Sequence, residues 1–573
     1  MSTPPAWRRS PTTSGLVSRP TRRSRALLLA AALLLPAVAG LLAACGSPPQ
    51  IVAISPSRGA TGVRSNAPVR IEFDRAMDRA SVASRFHLVP GVRGSLRWIG
   101  ERELVFEHPG APFEPSHRYR VVLAPGYRDL QGNANDLRHS WTFQTEAPPV
   151  LTGTSPASGQ DQVDPSTYVS LTFSRPMQLS TLERAVSFAP RVPFTVHRDP
   201  LDANRAVIAP DSLLEPHVSY QVAITSAALD PDGNHLAQGG VISFTTGPVR
   251  PLHHWVSFVA RSPLGNDAGV WLVDESRFPR TLLDTPVDGY SWSPDGTRLL
   301  LHSSDGTWTD QPLDGTPVAL PFRAQWAAYL APGQGYVFLD QGNLRLLQPD
   351  GKVVQIAGDV RSAAVAPDGL RIAFVVPDQA EPGAAGSGRS SAQSGWRIDA
   401  FDVGLRARYT LQAEATPIDD LSWSPDGQSL AYRTVGVDAA GARLRVRSLR
   451  DGTTLTVATG RISGVTWEAD SRHLFVTAAQ VARGAALTKV FRLAVDAQAA
   501  VRLERGGMPS GPLDVLAVAP SPDGHQLALL AHSGNGPAGI WLLNADGTGL
   551  TPLTSYDAGR FPYSCEGIAW TPG

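Results

Sequence analysis

Short runs of alternating apolar and polar residues, separated by segments rich in Gly, Pro and Asn, recur from residue 51 onward. Residues 69–73 (VRIEF), 118–123 (RYRVVL) and 140–143 (SWTF) alternate with a period of two. This period is typical of strands with one buried face, and the runs are too short for amphipathic helices. The pattern therefore predicts an all-β protein.

The alternating runs between residues 51 and 247 occur twice, with a spacing of 100 or 101 residues. We expect two tandem antiparallel sandwiches, residues 51–147 and 148–248, whose repeated aromatic side chains fill the space between the sheets. Gly132 and Gly233 are expected to supply positive φ in the repeated turn. The matching aromatic positions are Phe73 and Phe173, Tyr119 and Tyr220, and Phe143 and Phe244.

Each copy resembles a bacterial Ig-like domain of the kind found in surface-layer proteins. The resemblance lies in the phrases at residues 73–77 (FDRAM) and 173–177 (FSRPM), and in the turns at residues 129–133 (DLQGN) and 230–234 (DPDGN). Asp230 and Asp232 also suggest calcium ligands. Since the remaining ligands of a calcium loop are missing, we favour a turn without metal.

A shorter repeat begins near residue 249. Its phrases include residues 291–296 (SWSPDG) and 422–427 (SWSPDG), most of them followed by an apolar run. A strand, a Pro-Asp-Gly turn and further strands make one four-stranded blade of a β-propeller. In each turn Pro fixes φ, Asp binds its own backbone and Gly takes the left-handed conformation. The turn residues are Pro294, Asp295, Gly296, Pro367, Asp368, Gly369, Pro425, Asp426, Gly427, Pro522, Asp523 and Gly524.

The repeat resembles the WD40-like repeat of TolB-type propellers, and implies a C-terminal propeller at residues 249–573. Seven inner strands predict seven blades, and six blades remain possible if the degenerate phrase at residues 329–333 is not a blade. Residues 255–283 supply outer strands without an inner strand, and the strand near Trp570 is an inner strand without outer ones. We expect these two parts to form one blade that closes the ring and leaves no room for a following domain.

A segment rich in Gly, Ser, Ala and Pro, residues 376–395, interrupts one blade between its second and third strands. Its composition predicts a flexible loop on one rim of the propeller. Either the loop is a disordered insertion without a role in binding, which we favour, or it is a flap near a binding face.

The N-terminus has the pattern of a secretory signal. Residues 1–44 contain six Arg and no acid, and residues 26–44 are almost entirely Ala, Leu and Val. Residues 42–46 (LAACG) resemble a bacterial lipobox, which implies cleavage between Ala44 and Cys45 and lipidation of Cys45. An uncleaved signal anchor is the alternative. The lipobox interpretation predicts a short tether at residues 45–50 and a lipid-anchored protein of the bacterial cell membrane that faces the extracellular or periplasmic side.

Charge and cysteine content exclude several classes of protein. Without the six Arg of the signal, 45 basic residues stand against 51 acidic ones, which argues against a nucleic-acid partner. Two Cys exclude a disulfide scaffold, and no Gly-x-Ser-x-Gly or His-x-x-x-His phrase occurs. The paired His253 and His254 are interpreted as part of a solvated linker. We expect neither a cofactor, a metal site nor a catalytic site.

These observations favour a monomeric, non-catalytic lipoprotein. An Ig-like stalk would present the propeller to an envelope protein or glycan, as the resemblance to TolB-type propellers implies. The first alternative is an extracellular propeller hydrolase or lyase that acts on polysaccharide or peptide, for which perturbed acids and His should face the channel. The second alternative is a structural element of the cell wall.

Overall fold

The computed structural model describes residues 47–262, 267–378, 395–435, 441–482, 485–496, 499–556 and 561–572. The chain forms two compact units, Met1–Ala147 and Pro148–Gly573. The predicted signal peptide, Ala44, Cys45 and most of the predicted insertion lie outside the described residues. Within the described residues, no helix is long and apolar enough to cross a membrane.

The first unit contains an antiparallel sandwich. Its sheets have the strand orders β1-β2-β5-β4 and β3-β6-β9, and β7 pairs with β8. The elements are β1 (Ile51–Ser55), β2 (Val69–Phe73), α1 (Arg79–Arg85), β3 (Phe86–Val89), β4 (Ser95–Ile99), β5 (Glu103–Glu107), β6 (Arg118–Leu123), β7 (Tyr127–Arg128), β8 (Ala134–Asn135) and β9 (His139–Gln144).

The second unit begins with a similar sandwich, with strand orders β10-β12-β15-β14 and β11-β17-β16-β13. It departs from the predicted antiparallel sandwich at one edge, where β11 pairs parallel with β17. The short helices α1 and α2 were not predicted. Both follow a strand that ends in Phe, and neither exceeds two turns. The elements are β10 (Leu151–Ser155), β11 (Gln160–Val163), β12 (Val169–Phe173), α2 (Leu179–Ala185), β13 (Val186–Ala189), β14 (Phe194–Arg198), β15 (Arg205–Pro210), β16 (Ser219–Ile224) and β17 (Gly240–Thr246).

The two sandwiches repeat the same internal contacts. The six repeated aromatic residues predicted to fill the cores are each at most 2% exposed, which confirms that prediction. The Tyr220 hydroxyl accepts a hydrogen bond from the Glu215 amide at 3.0 Å, as its counterpart does in the first sandwich. In the repeated turn, Gly233 has a φ of +89° and Asp230 accepts hydrogen bonds from the backbone and side chain of Asn234. The Asp230 carboxylate is therefore engaged in the turn.

The remainder of the second unit is a seven-bladed propeller, as predicted. Its strands are β18 (Val256–Arg261), β19 (Asp267–Val273), β20 (Arg280–Leu283), β21 (Gly289–Trp292), β22 (Arg298–His302), β23 (Thr307–Pro312), β24 (Val318–Arg323), β25 (Trp326–Tyr329), β26 (Tyr336–Asp340), β27 (Asn343–Leu347), β28 (Val353–Ala357), β29 (Ser362–Val365), β30 (Arg371–Pro377), β31 (Trp396–Asp402), β32 (Ala407–Glu414), β33 (Ile418–Trp423), β34 (Ser429–Thr434), β35 (Ala442–Ser448), β36 (Thr454–Gly460), β37 (Ile462–Trp467), β38 (His473–Ala482), β39 (Ala485–Ala494), β40 (Val501–Arg502), β41 (Leu513–Pro520), β42 (Gln526–Ser533), β43 (Ala538–Asn544), β44 (Thr551–Pro552) and β45 (Ser564–Trp570).

Blade 1 joins the two ends of the propeller. Its strand order is β20-β19-β18-β45, and β18 pairs with β45 in the antiparallel register Val256↔Trp570. Blades 2, 3 and 4 are β21–β24, β25–β28 and β29–β32, and blade 7 is β41–β44. The pairing of β18 with β45 confirms the predicted ring closure. Since β30 extends to Pro377, the predicted insertion begins two residues inside a strand.

Blades 5 and 6 depart from the predicted four-stranded unit. Among the described residues, blade 6 consists of the three strands β37, β38 and β39. After β39 the chain returns to blade 5, where β40 pairs parallel with β36, and then Met508 bridges to Val490 at the edge of blade 6. A two-residue strand carries too little alternation to be found from sequence.

Aromatic side chains on the inner strands join neighbouring blades. The indole N–H of Trp423 donates to the Ala364 carbonyl at 3.1 Å, and that of Trp467 donates to the Ser422 carbonyl at 3.0 Å. Trp292 likewise donates to the Ser257 hydroxyl at 2.8 Å. Because each bond reaches the preceding blade, these Trp residues hold the ring together around its channel.

Candidate functional site

The second Ig-like sandwich packs against blade 1 of the propeller. The Thr281 amide donates to the Asp211 carbonyl at 2.8 Å, and Ser212 forms a parallel bridge with Thr281. The Tyr168 hydroxyl donates to the Asp274 carboxylate at 3.2 Å. Backbone and side-chain contacts therefore connect the two domains directly.

Arg280 lies at the centre of this junction and is fully buried. Its guanidinium donates to the carbonyl oxygens of Ser166 and Ser212, the latter at 2.8 Å, and lies 5.0 Å from the centre of the Tyr168 ring. Burial lowers the pKa of Arg280, while the negative charge of Asp274 opposes the shift. A buried cation with carbonyl partners on the other domain fixes the relative position of the sandwich and blade 1.

Next to the junction, a groove of about 530 Å³ opens where blades 1 and 7 meet. We call it the seam groove. Its lining residues are His253, His254, Trp255, Val256, Val273, Asp274, Glu275, Asp523, His525, Gln526, Leu542, Asn544, Leu553 and Trp570.

The seam groove has an apolar floor and an ionisable rim. Trp255 and Leu553 of the floor are buried, and Trp570 is half-buried. The imidazoles of the rim are exposed, as are the Glu275 and Asp523 carboxylates. Such a combination of apolar surface and converging polar groups is typical of binding sites.

Local bonds hold the acids of the rim in place. Asp523 accepts from the Ser521 hydroxyl at 2.5 Å and from the His525 amide at 3.0 Å. The Ser521 bond is the largest cause that lowers the pKa of Asp523, with smaller contributions from the His525 amide and from the positive charges of His525 and His254. Glu275 accepts from the Gln526 side-chain amide at 3.0 Å, a bond between blades 1 and 7. Asp523 thus stays anionic, and both carboxylates keep oxygens that are available to a donor.

Within the described residues, the imidazole and carboxylate atoms of the seam groove do not converge as the ligands of a metal would. Glu468, Asp470 and His473 in blade 6 do converge. There, however, the Arg492 guanidinium donates to both oxygens of Glu468, at 2.7 and 3.0 Å. This cation already neutralises Glu468, so the arrangement is a structural ion pair.

The acids on the inner strands are mostly paired. Asp419 binds Arg433 at 2.7 Å, Asp514 accepts from the Thr488 amide at 2.7 Å, and Glu566 pairs with Arg261. Asp420 differs, because one of its carboxylate oxygens is buried without a hydrogen-bond partner among the described residues. Burial raises the pKa of Asp420, which Arg433 opposes. Asp420 therefore differs from the paired acids of the other described inner strands, because one of its oxygens has no hydrogen-bond partner among the described residues.

The predicted turn residues lie where the sequence places them. The four Gly have φ between +64° and +76°, and each Asp accepts from the amide two residues later. Of these turns, the one with Asp523 reaches the seam groove, together with the predicted linker pair His253 and His254.

His525, Glu275 and Arg280 were not among the residues predicted from the sequence. His525 follows its Pro-Asp-Gly turn at the position held by Thr297, Leu370 or Gln428 in the other turns. The sequence did contain a signal for His525, because it is an ionisable residue at a position where these other turns have none. Glu275 lies in the loop between β19 and β20, and Arg280 follows that loop. The loop contains no repeated phrase, so no sequence pattern distinguishes either residue.

Residues 46–145 and 146–246 match the bacterial Ig-like domain family. The duplicated sandwiches are therefore two bacterial Ig-like domains, a kind of domain typical of bacterial surface proteins. Among curated protein sequences, none matches the chain.

Solved propeller structures are similar to the chain. A putative TolB from Agrobacterium tumefaciens has 17% identity and a TM-score of 0.32, and covers 52% of this chain and 88% of its own. TolB from Acinetobacter baumannii has 12% identity and a TM-score of 0.34, and covers 68% of this chain and 83% of its own. An oligogalacturonate lyase from Vibrio parahaemolyticus has 12% identity and a TM-score of 0.37, and covers 54% of this chain and 90% of its own. Similarities of this size carry no argument about function.

Proposed function

We propose that this protein is a non-catalytic binding protein of the bacterial cell envelope, anchored through a lipid on Cys45. Its propeller binds a partner protein in the seam groove. The observation that carries the proposal is the position of this groove, which combines fixed anionic groups with an apolar floor beside a rigid domain junction. A glycoside hydrolase would need a pair of perturbed carboxylates at one site, and among the described acids of the inner strands only Asp420 has a raised pKa.

The chemistry of the rim specifies the partner. The Asp523 and Glu275 carboxylates are acceptors only, so they favour a segment that presents Lys or Arg side chains. The half-buried Trp570 and buried Leu553 below them suit the apolar stem of such a side chain. The partner is therefore a protein with a basic, exposed segment.

The test is affinity co-purification from native envelopes with residues 46–573 as bait. A second bait carries Glu275→Lys, which reverses one charge of the rim. The control bait carries Glu504→Lys, which changes an exposed residue that makes no hydrogen bond or ion pair among the described residues. We expect one partner that the unchanged and control baits retain and the Glu275→Lys bait loses.

Two results would contradict the proposal. Equal retention by all three baits would place the binding surface elsewhere on the molecule. Failure of any protein to enrich would favour the structural element of the cell wall. The anchor is tested separately by Cys45→Ser, which should move the protein from the membrane fraction to the soluble fraction.

A further inference from the structure

A second cleft, of about 480 Å³, lies between the second Ig-like domain and blade 1. We call it the junction cleft. It is distinct from the seam groove, with which it shares no lining residue. Its lining residues are Thr195, His197, Ala209, Pro210, Asp211, Trp271, Arg277, Phe278, Pro279, Ser555, Phe561 and Tyr563.

The propeller supplies an aromatic wall. The ring centres of Trp271 and Tyr563 lie 5.2 Å apart, and each lies 5.4 Å from the centre of Phe561. Trp271 and Tyr563 are half-buried, whereas Phe561 is buried behind them. This arrangement provides an exposed aromatic surface supported from below.

The Ig-like domain supplies a polar wall. The Thr195 hydroxyl and the His197 imidazole share a hydrogen bond of 2.7 Å. The His197 ring stacks on Phe278 of the propeller with 3.7 Å between ring centres, so the two walls meet there. Asp211 lies on the same wall, and its backbone carbonyl is fixed by the Thr281 amide.

The Asp211 side chain is exposed on this wall. Within the described residues its carboxylate makes no hydrogen bond and no ion pair. Partial desolvation raises the pKa of Asp211, with Arg280 opposing the shift and Glu183 adding to it. A carboxylate is an acceptor only, so Asp211 can take hydrogen bonds from the donors of a molecule in the cleft.

We propose that the junction cleft binds a saccharide. A pyranose ring has an apolar C–H face and an edge of hydroxyl groups. The first fits the aromatic wall, and the second supplies donors to Asp211 and Thr195. A proline-rich peptide also packs on aromatic rings, but its Pro residues carry no N–H and so offer the Asp211 carboxylate no donor.

This site goes beyond the proposed function, because it requires both domains and takes a different ligand class. The first experiment applies residues 46–573 to an array of several hundred glycans, with poly-L-proline as a further probe. The strongest glycan is then titrated by calorimetry against the protein and two variants. Asp211→Asn removes the charge with little change in shape, and Trp271→Phe reduces the aromatic surface while it keeps blade 1 packed.

We expect Asp211→Asn to weaken binding at least about tenfold, because hydrogen bonds to a charged acceptor are the strong ones. Trp271→Phe should weaken it several-fold. Glu504→Lys changes an exposed residue that lines neither the junction cleft nor the seam groove, and it should leave glycan binding unchanged. Because co-purification of the partner depends on Glu275 and glycan binding on Asp211 and Trp271, failure of this site and failure of the proposed function are distinguishable. The proposal is overturned if no glycan binds, if both cleft variants bind as tightly as the unchanged protein, or if poly-L-proline alone binds in a Trp271-dependent way.

Discussion

The indole N–H of Trp570 donates to the Ala519 carbonyl at 2.8 Å, which joins the inner strand of blade 1 to that of blade 7. Trp570→Phe keeps most of the ring surface and removes the donor. We expect it to lower the free energy of unfolding of the propeller by about 1 kcal/mol, the net value of a typical hydrogen bond. The measurement is urea denaturation followed by circular dichroism. Trp541→Phe is the control, because that indole N–H has no hydrogen bond in the described structure. An equal loss of stability in both variants would show that the hydrogen bond between Trp570 and Ala519 does not stabilise the propeller.

Asp310 connects blades 2 and 3 through a buried carboxylate. Arg298 donates to both of its oxygens, and the hydroxyls of Tyr329 and Tyr336 donate from the next blade. Asp310→Asn leaves Arg298 without its charged partner and should cost about 2–3 kcal/mol of stability. Asp305→Asn, in an exposed turn of the same blade, should have a much smaller effect in the same urea titration.

The Asp310 contacts also predict a dependence on acid. Burial alone would raise the pKa of Asp310, but the bonds from Arg298, Tyr336 and Tyr329 outweigh it and lower the pKa. The folded protein therefore holds this proton less tightly than the unfolded chain does. The stability from Asp310 is complete above about pH 4, the ordinary Asp range, and is lost as the pH falls further. The Asn variant should lose less stability than the unchanged protein between pH 5 and 2, and parallel curves would contradict this assignment.

Asp420 has a left-handed backbone, with a φ of +57°. Gly567 occupies the same position, three residues before the inner-strand Trp, with a φ of +49°. Asp420→Gly removes both the backbone strain and the partly orphaned carboxylate, so it should stabilise the protein by about 1–2 kcal/mol at pH 7. Because burial raises the pKa of Asp420, the folded state binds its proton more tightly, and the gain should shrink near pH 3.

Asp359→Gly is the matched control for Asp420→Gly. Asp359 has the same φ of +57° but is exposed, so its replacement relieves the backbone alone. The difference between the two variants measures the cost of the buried carboxylate. A loss of stability in Asp420→Gly would instead mean that the carboxylate makes a favourable contact.

Cys565 is 1% exposed on β45, and burial raises the pKa of its thiol to about 12. The thiol should therefore not react with an aromatic disulfide reagent at pH 8 in the folded protein, and should react fully in denaturant. The test uses residues 46–573, where Cys565 is the single Cys. The variant Ser555→Cys, which is exposed, should react at once. Rapid reaction of Cys565 in the folded protein would show that β45 separates readily from β18.

Sequence alone predicted most of this architecture because the chain repeats itself. The spacing from Phe73 to Phe173 revealed the two sandwiches, and the seven inner strands predicted the number of blades. An inner strand without outer strands, near Trp570, was sufficient to predict how the ring closes. Repetition makes weak local signals reinforce one another.

The candidate sites could not be found in that way. Arg280 and Ser166 are 114 residues apart, and nothing in either segment indicates that they meet. The seam groove likewise joins the linker at His254 to a turn at His525. Such sites depend on the packing of domains and blades, which the period of a single strand does not encode. β40 was not predicted for a similar reason. It pairs with β36 of blade 5, although it follows the strands of blade 6 in the sequence.

The pairing of β18 with β45 sets an order of events during folding. Trp255 and Thr571 share a hydrogen bond across 316 residues, so blade 1 cannot be completed until residue 571 has reached the compartment in which the protein folds. Both Ig-like domains end before β18 begins, so they can fold first, while β18 keeps an open edge that invites wrong pairing. Blade 1 is thus the first blade of the propeller to begin and the last to be completed.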